Sequence, residues 1–358
     1  MPVGPIEPIE PIEMEEEEER RVQVRSVAIT AIEEELPTEL VSDAALASEL
    51  GLDESVVRLW SRGRERRESP DGEGPAALAA RAASRMLASR GLSAADVDFI
   101  VFATNTPDMF FPGSACLLQG LLGCRTVGGL DVRSQCTGFL TALDASWRFV
   151  ATGMAGRVLV VAADTPSHFN ARDGRSPHLS CATADAAAAV LLEAGSGPGE
   201  ILAVTVRSDG SRHRDFWCEY PASRFREGTT LPGRNRLPAS KAAEGRHFPE
   251  ADLDRLREIA LARVPEVFAE TLARAGLERV DVTLVAHLDA RVEAELPALL
   301  AGAAGRVEVS DLLYGGGASL PVLASRARRA GRIAGGETAA LVTAGSGASW
   351  GCGIVRVP

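Results

Sequence analysis

This sequence of 358 residues lacks the features that mark several common classes of protein. No apolar run approaches the roughly 18 residues that a membrane-spanning helix needs, so we expect no membrane span. The amino terminus has neither the basic start nor the apolar stretch of a signal peptide. The six cysteines include no CxxC pair, so the sequence predicts neither a metal site nor a disulfide framework. Reduced thiols are typical of a cytoplasmic protein.

Acidic residues outnumber basic ones, 49 to 38, and lysine is almost absent. Lys241 is the single lysine, and the formal net charge is −11. This balance excludes general nucleic-acid binding, because phosphate contacts require a positive surface. Residues 6–19 carry eight glutamates, so we expect residues 1–21 to form an acidic, disordered tail on a mildly acidic body.

Beyond the tail, short apolar runs alternate with longer patterns of helical period that are rich in Ala, Leu and Arg. Short strands that are apolar throughout are typical of sheets covered by helices on both faces, so the alternation predicts an α/β protein. The predicted strands cover residues 22–32, 97–103, 126–132, 157–163, 186–193, 201–206, 282–286, 305–309, 338–344 and 351–357. The predicted helices cover residues 76–90, 114–122, 136–152, 253–275, 290–303 and 321–330.

One stretch breaks this alternation. Residues 207–248 are rich in Arg, Gly, Pro and Ser and show no clear period. A connection of this length in a compact enzyme is usually functional, so it is interpreted as a lid or the wall of a substrate tunnel, with a surface excursion as the alternative. It divides the chain into halves at residues 22–206 and 249–358.

A cysteine stands where a predicted strand gives way to a predicted helix. The strand ends near Val132, and Cys136 follows a three-residue turn to open the helix. Unpaired N–H groups and the helix dipole at such a joint favour negative charge, which lowers a thiol pKa and suits a nucleophile. The alternative is a buried structural cysteine.

A nucleophilic cysteine needs a hydrogen-bonding partner, and His287 is the best placed of the five histidines. It follows an apolar strand and precedes an amphipathic helix, and enzymes with parallel sheets place functional groups at such strand ends. Asp289 either caps the following helix or orients His287 as part of the catalytic set.

These residues belong to six blocks that resemble the ketoacyl synthase III group of the thiolase superfamily. The resemblance covers nearly the whole chain after the tail, and its DVRSQCTGF and AHLDARV blocks carry Cys136 and His287. The remaining blocks are SRGRERRES, TNTPDMFFPGSACLLQGLLGC, ADAAAAVLL and AGSGASWGCGIVRV. Six blocks in the family's order are far more specific than any one of them.

The resemblance implies a thiolase-like five-layered αβαβα fold of two related halves, assembled as a homodimer. It implies acyl transfer from an acyl-CoA or phosphopantetheine thioester onto Cys136, with no permanently bound cofactor. The backbone N–H groups of Cys136 and Ser346 would form the oxyanion hole. Phe111 matches the position at which the partner subunit closes the acyl pocket, with core packing as the alternative. Trp60 and Arg62 lie where the family contacts coenzyme A, although this chain is about two residues shorter there.

The sequence departs from the family at its catalytic asparagine. Gly316, in LLYGGGASLP, occupies the matching position, and Ala290 replaces the asparagine of the histidine motif. In the condensing members, the histidine and asparagine together donate hydrogen bonds to the malonyl thioester oxygen and so stabilise the enolate. Glycine has no side-chain donor, so decarboxylation should be impaired.

The departures favour an acyltransferase of natural-product, fatty acid or polyketide biosynthesis. Cys136 would take the acyl group, and His287 would then deprotonate a small-molecule acceptor with a hydroxyl or amine. The first alternative is a carbon–carbon bond-forming enzyme in which Asp289, Tyr314 or a backbone donor replaces the asparagine. The second is a catalytically weakened partner subunit or carrier-protein docking module.

An acyl carrier protein as partner would require local positive charge, because such carriers are acidic. Two arginine clusters are candidates for this docking surface, with dispersed solvent-facing arginines as the alternative. The first consists of Arg62, Arg64, Arg66 and Arg67, and the second of Arg207, Arg212, Arg214, Arg224 and Arg226.

Overall fold

The computed structural model describes residues 24–219, 245 and 247–358. The predicted acidic tail, residues 1–21, lies outside the described residues. Most of the predicted lid or tunnel wall lies outside them as well, because only residues 207–219, 245, 247 and 248 of that segment are described.

The described residues contain fourteen strands and nine α-helices. The first half of the chain contains β1 (Val27–Glu35), β2 (Glu39–Leu40), α1 (Asp43–Leu50), α2 (Glu54–Ser61), β3 (Arg67–Glu68), α3 (Pro75–Ser89), β4 (Phe99–Ala103), α4 (Ser114–Leu122), β5 (Gly128–Val132), α5 (Gly138–Ala151), β6 (Arg157–Asp164), α6 (Pro177–Ala182) and β7 (Ala186–Ala194). The second contains β8 (Ile201–Ser208), β9 (Phe216–Trp217), β10 (Glu250–Ala251), α7 (Leu253–Ala275), β11 (Val282–Ala286), α8 (Ala290–Leu299), β12 (Arg306–Val309), α9 (Ser319–Arg329), β13 (Thr338–Gly345) and β14 (Ser349–Arg356).

Two five-stranded sheets share one topology. The first has the strand order β5-β4-β6-β7-β1 and the second the order β12-β11-β13-β14-β8. In each, the first three strands run parallel and the last two pair antiparallel. The second sheet therefore repeats the first strand for strand, which confirms the predicted fold of two related halves.

Strand pairing places the boundary between the halves earlier than the sequence analysis did. Strand β8 pairs with β14 along its length, from Ser208 opposite Ser349 to Ile201 opposite Val355. It therefore belongs to the second sheet, and the predicted division after residue 206 cuts through it. The position of the irregular segment suggested that division, whereas the connection between β7 and β8 separates the two sheets.

Helices α5 and α9 lie between the two sheets and form the middle of five layers. The apolar cluster around them includes Phe139, Leu140 and Leu143 of α5, all of them buried. Burying a side chain of this size contributes about 2 kcal/mol. Helix α5 approaches β14 closely, because a Cβ at Gly351 or Gly353 would lie 3.0 or 3.1 Å from Leu140.

Two further apolar clusters complete the layers. Helix α3 covers the outer face of the first sheet, and α7 covers that of the second. Because the central helices carry apolar residues around most of their circumference, the turns that precede them lie deep in the molecule. Those turns position the candidate site.

Candidate active site

Cys136 lies at the joint between β5 and α5, as the sequence analysis predicted. The chain leaves the strand at Val132 and passes through a single 3-10 turn, Gln135–Thr137, directly into the helix. Gln135 has a positive φ of 51°, which turns the chain sharply at this point. The Cys136 side chain is buried, with 5% of the residue exposed.

The turn between β13 and β14 covers the thiol. Gly345 lies so close to Cys136 that a Cβ there would overlap the sulfur, so the position requires glycine. The backbone N–H groups of Ser346 and of Cys136 itself both interact with the thiol. These are the two donors that the resemblance implies for an oxyanion hole. The Ser346 hydroxyl points away and donates to the Phe216 carbonyl at 2.7 Å.

Burial dominates the electrostatics of Cys136. It raises the thiol pKa above its usual value, against the opposing effects of Tyr314 and of the two backbone N–H groups. The buried carboxyl group of Asp164 raises this pKa further. The sequence-based expectation of a lowered thiol pKa is therefore wrong, because the joint lies in the core instead of at the surface.

His287 lies at the carboxyl end of β11, next to Ala286, which pairs with Thr343 of β13. Thr343 donates its hydroxyl hydrogen to the Ala286 carbonyl at 2.9 Å. Gly345, which contacts Cys136, is two residues further along β13, or about 7 Å at the usual strand rise. His287 and Cys136 therefore meet at the same end of the second sheet.

The hydrogen bonds of the His287 ring fix its tautomer. The Asp289 N–H donates to Nδ1 at 2.9 Å, so Nδ1 is the acceptor and the ring proton resides on Nε2. The Asp289 carbonyl is farther away, at 3.3 Å. Nε2 is buried and has no hydrogen-bond partner among the described residues. Burial lowers the pKa of His287 to about 4, so the ring is neutral near pH 7 and presents Nε2–H as a donor.

The side chain of Asp289 binds Arg291. Its carboxylate accepts from the Arg291 backbone N–H at 2.9 Å and forms an ion pair with the Arg291 guanidinium. It thus caps α8, which is one of the two roles that the sequence allowed. Asp289 orients His287 through its backbone N–H.

Tyr314 also lies beside Cys136. Its ring is buried, and its hydroxyl lies beside the Cys136 thiol and Thr343. The hydroxyl oxygen nevertheless meets the distance and angle of a hydrogen bond with no described residue. Burial raises the pKa of this phenol well above its ordinary value, so it stays protonated and is available as a donor.

Asp164 is a buried carboxyl group that the sequence analysis missed. It ends β6 and accepts from the backbone N–H groups of Asn105 and Gly317, at 2.6 and 2.7 Å. The Thr104 and Thr106 hydroxyls donate to it at 3.1 and 3.3 Å. Burial raises its pKa to about 6. The available signal was an acid that directly follows six consecutive apolar residues of a strand.

Gly316 faces Asp164. Its φ is +60°, and the atoms nearest to a Cβ built there belong to the Asp164 carboxyl group. A side chain at this position would therefore point at Asp164. A side chain at Gly316 therefore could not take the role that the resemblance assigns to the matching asparagine, which is to donate a hydrogen bond to the substrate.

The predicted coenzyme A segment lies beside His287. Glu293 accepts from the His287 backbone N–H at 3.3 Å and forms an ion pair with Arg64. Arg62, exposed at the end of α2, lies near the same carboxylate. The Trp60 ring is partly buried and tilts against His178, with 5.9 Å between ring centroids.

The first arginine cluster is interrupted. Arg66 is 1% exposed, pairs with Asp43 and donates to the Cys181 carbonyl, so it cannot face a docking partner. Arg224 and Arg226 of the second cluster lie outside the described residues. Phe111 is 80% exposed, so it does not pack in the core of its own subunit.

Within the described ranges, no helix is long and apolar enough to cross a bilayer. The same part of the chain contains no group of three or more His, Cys, Asp or Glu residues arranged to bind a metal ion.

Comparison with known proteins identifies the family. The family model for 3-oxoacyl-[acyl-carrier-protein (ACP)] synthase III matches residues 130–210. The β-ketoacyl-[acyl-carrier-protein] synthase III of Synechococcus elongatus is 31% identical over 336 residues, which cover 92% of this chain and 96% of that protein. The Bordetella petrii protein of the same name is 32% identical over 333 residues, with 90% and 95% covered.

A solved structure leads to the same family. The 3-oxoacyl-(acyl carrier protein) synthase III of Pseudomonas aeruginosa superposes with a TM-score of 0.79 at 26% identity, covering 93% of this chain and 99% of its own. The paired sheets and these matches place the chain in the thiolase superfamily. Within it, the chain belongs to the 3-oxoacyl-[acyl-carrier-protein] synthase III family of enzymes, as its six sequence blocks predicted.

Proposed function

We propose that this enzyme forms a carbon–carbon bond by decarboxylative condensation, with Cys136 as the acyl-carrying nucleophile. The observation that carries the proposal is the hydrogen bond from the Asp289 N–H to His287 Nδ1, which leaves the ring proton on the buried, unpartnered Nε2 as a donor. A donor stabilises the enolate formed from a malonyl thioester, whereas a base must offer a lone pair. This geometry reverses the order of preference drawn from the sequence.

The first step loads the enzyme. Cys136 Sγ attacks the carbonyl carbon of an acyl-CoA or acyl-carrier-protein thioester, a new carbon–sulfur bond forms, and the bond to the donor's sulfur breaks. The proton of the Cys136 thiol ends on the departing thiol. The backbone N–H groups of Cys136 and Ser346 stabilise the oxyanion, and each such donor is worth about 3 kcal/mol.

The second step extends the acyl group. The bond between the malonyl carbon and its carboxylate breaks, carbon dioxide leaves, and the electron pair forms an enolate. His287 Nε2–H donates to the enolate oxygen, which costs no reorganisation because the Asp289 N–H already holds the ring. The enolate carbon attacks the acyl carbonyl, and the carbon–sulfur bond to Cys136 breaks. The departing thiolate then takes up a proton from water, which regenerates the thiol.

Acyl transfer to a hydroxyl or amine is the second candidate function. The observation that favours it is Gly316, which provides no donor where condensing relatives carry asparagine. Against it, His287 could remove the acceptor's proton only through Nε2, which bears the ring proton when Nδ1 accepts from the Asp289 N–H. A non-catalytic partner subunit is a third candidate, for which we would expect no acyl adduct.

One experiment separates these functions. The protein is incubated with an acyl-CoA panel, and the intact mass reports loading of Cys136. Malonyl thioester is then added, and carbon dioxide release and the mass of the product are followed. Condensation predicts release coupled to a 3-ketoacyl product. Acyl transfer predicts a loaded enzyme that discharges to an added alcohol or amine with little carbon dioxide.

The partners follow from the proposed reaction. The names of the matched relatives include an acyl carrier protein, and we propose such a carrier or coenzyme A as the donor here, delivered past Trp60 and Arg62. We also propose a homodimer. Edge strand β5 is mostly exposed, and Phe110 and Phe111 beyond it are 60% and 80% exposed, which is unusual for large apolar side chains.

A further inference from the structure

The backbone holds Tyr314 rigidly at the site. Its N–H donates to the Ala182 carbonyl at 3.1 Å, and its own carbonyl accepts from the Ala184 N–H at 3.1 Å. It also forms a parallel bridge with Thr183, so bonds on both sides of the residue fix its direction. This pairing fixes the backbone of Tyr314, and burial of the ring keeps the phenol beside Cys136.

The phenol hydroxyl is buried beside Cys136 and lacks a hydrogen-bond partner among the described residues. His287 Nε2 has the same two properties. A buried polar atom without a partner destabilises the fold, so two of them near Thr343, at the end of the β11–β13 pair, indicate a ligand that satisfies both. Each can donate one hydrogen, and a carbonyl oxygen can accept two.

We propose that the Tyr314 hydroxyl is the second hydrogen-bond donor to the thioester oxygen of the malonyl substrate, paired with His287 Nε2. This inference rests on the proposed condensation. Tyr314 would supply the donor that asparagine supplies in the condensing relatives. As carbon dioxide leaves and negative charge develops on the thioester oxygen, the phenol strengthens its hydrogen bond and keeps its proton.

The surroundings of Tyr314 favour this role over the alternatives. Gly316 cannot support a replacement donor, since a side chain there would meet Asp164. The Asp289 carboxylate is occupied by Arg291 and by the cap of α8. Burial keeps the phenol protonated, so it acts as a donor and not as a base. Tyr314 is then a catalytic residue, because its hydroxyl touches the reacting substrate.

The direct test is Tyr314→Phe, which keeps the ring and removes the donor. We expect carbon dioxide release by the acylated enzyme to fall on the order of a hundredfold. Acylation of Cys136 by acyl-CoA should fall far less, by about tenfold at most, because the backbone donors remain and only the effect of Tyr314 on the thiol pKa is lost. The matched control is Ser146→Ala, which removes another buried, unpartnered hydroxyl. Ser146 lies ten residues beyond Cys136 along α5, or about 15 Å, so both steps should be unchanged.

A second measurement avoids any loss of folding. The chain has two tyrosines, so in a Tyr220→Phe background 3-fluorotyrosine labels Tyr314 alone. The fluorinated phenol is more acidic and donates more strongly at the same site. We expect faster decarboxylation with unchanged acylation.

The outcomes separate this inference from the proposed function. If wild type condenses and both Tyr314→Phe and the fluorinated protein decarboxylate at the rates of their parents, Tyr314 is not the donor and the proposed function stands. Equal loss of acylation and decarboxylation in Tyr314→Phe, with no effect of fluorine, would show a structural role and overturn the inference. A wild type that loads Cys136 but releases no carbon dioxide would overturn the proposed function and this inference together.

Discussion

The two halves of the molecule build the same turn and use it differently. In the first half, the 3-10 turn Gln135–Thr137 precedes α5, and in the second, the 3-10 turn Gly316–Ala318 precedes α9. Both begin with a positive φ, 51° at Gln135 and 60° at Gly316. Cys136 thus corresponds to Gly317.

Each turn packs against the end of a strand from the other half. Cys136 lies against Gly345, the last residue of β13, and Gly317 donates to Asp164, the last residue of β6. Strands β6 and β13 occupy the same place in their sheets and have eight residues each, so Asp164 corresponds to Gly345. In the first contact, the turn provides the side chain of Cys136 and the strand provides Gly345. In the second, the strand provides the side chain of Asp164 and the turn provides Gly317.

The comparison shows that each contact has room for one side chain. Where the side chain comes from the turn, it is a thiol beside two backbone N–H groups, and we propose that it reacts. Where it comes from the strand, it is a carboxylate whose oxygens are taken up by the donors around it. We propose that the first contact supports chemistry, whereas the second holds the turn that follows Tyr314.

Removing the side chain of the reactive contact should have the largest effect. For Cys136→Ala we expect loss of the acyl adduct and a fall in condensation on the order of a thousandfold or more. The fold should remain, since one small side chain is lost. Intact mass after incubation with acyl-CoA, followed by peptide mapping, checks this. Cys116→Ala, which removes an exposed cysteine, should load normally. An adduct on any cysteine other than Cys136 would contradict the assignment.

Adding a second side chain to the same contact should be nearly as damaging. In Gly345→Ala the new Cβ would overlap Cys136 Sγ. We expect the unfolding free energy to fall by about 1–3 kcal/mol and acylation to slow roughly a hundredfold as the sulfur is displaced. Gly120→Ala is the control, because a Cβ at Gly120 of α4 meets nothing within 4 Å. Normal acylation by Gly345→Ala would show that the contact tolerates two side chains.

A second side chain can also be added to the contact between Asp164 and the turn that begins at Gly316. Gly316→Asn restores the family's residue but places a Cβ on the Asp164 carboxyl group at a positive φ. We expect its unfolding free energy to fall by about 1–3 kcal/mol relative to Gly331→Asn, with no gain in decarboxylation. Gly331 has a similar φ of +68° and nothing within 4 Å, so it isolates the overlap. Faster carbon dioxide release by Gly316→Asn would instead show that position 316 can carry the missing hydrogen-bond donor, as the sequence alone suggests.

Much of this architecture could be predicted from the sequence because it depends on local pattern. The buried strand Val282–Ala286 and the helix Leu253–Ala275 were predicted with the bounds that the structure shows. Cys136 and His287 could be found because each follows an apolar strand. Helices α1 and α2 were missed, since eight residues carry too little periodicity, although Ser42 and Asp53 are recognisable as their N-caps.

What the sequence could not predict depends on contacts between the halves. Asp164 and Gly316 are 152 positions apart, and nothing local indicates that one excludes a side chain from the other. The raised pKa of Cys136 depends on burial by the turn that contains Ser346. The tautomer of His287 depends on one backbone N–H. Each of these features decides chemistry, and each exists only after folding.

The smallest effect we expect is a difference in pH dependence between two buried groups. Burial raises the pKa of Asp164 to about 6 and lowers that of His287 to about 4. Between pH 6 and 4 the folded state binds a proton at Asp164 that the unfolded state does not, so acid stabilises through this group. At His287 the unfolded state binds the proton, so acid destabilises. The two effects are similar in size and should nearly cancel in the wild type.

Each variant should therefore show the pH dependence of unfolding that comes from the one group it retains. As the pH falls from 6 to 4, the unfolding free energy of Asp164→Asn should drop relative to wild type by about 1 kcal/mol per pH unit. That of His287→Gln should rise relative to wild type by a similar amount. Urea unfolding at three pH values checks both, and titrating groups that are common to all three proteins and lie away from these two residues cancel in the differences. Parallel pH profiles for the three proteins would show that neither group has the shifted pKa, and His287 would then lose its neutral, donating state in mild acid.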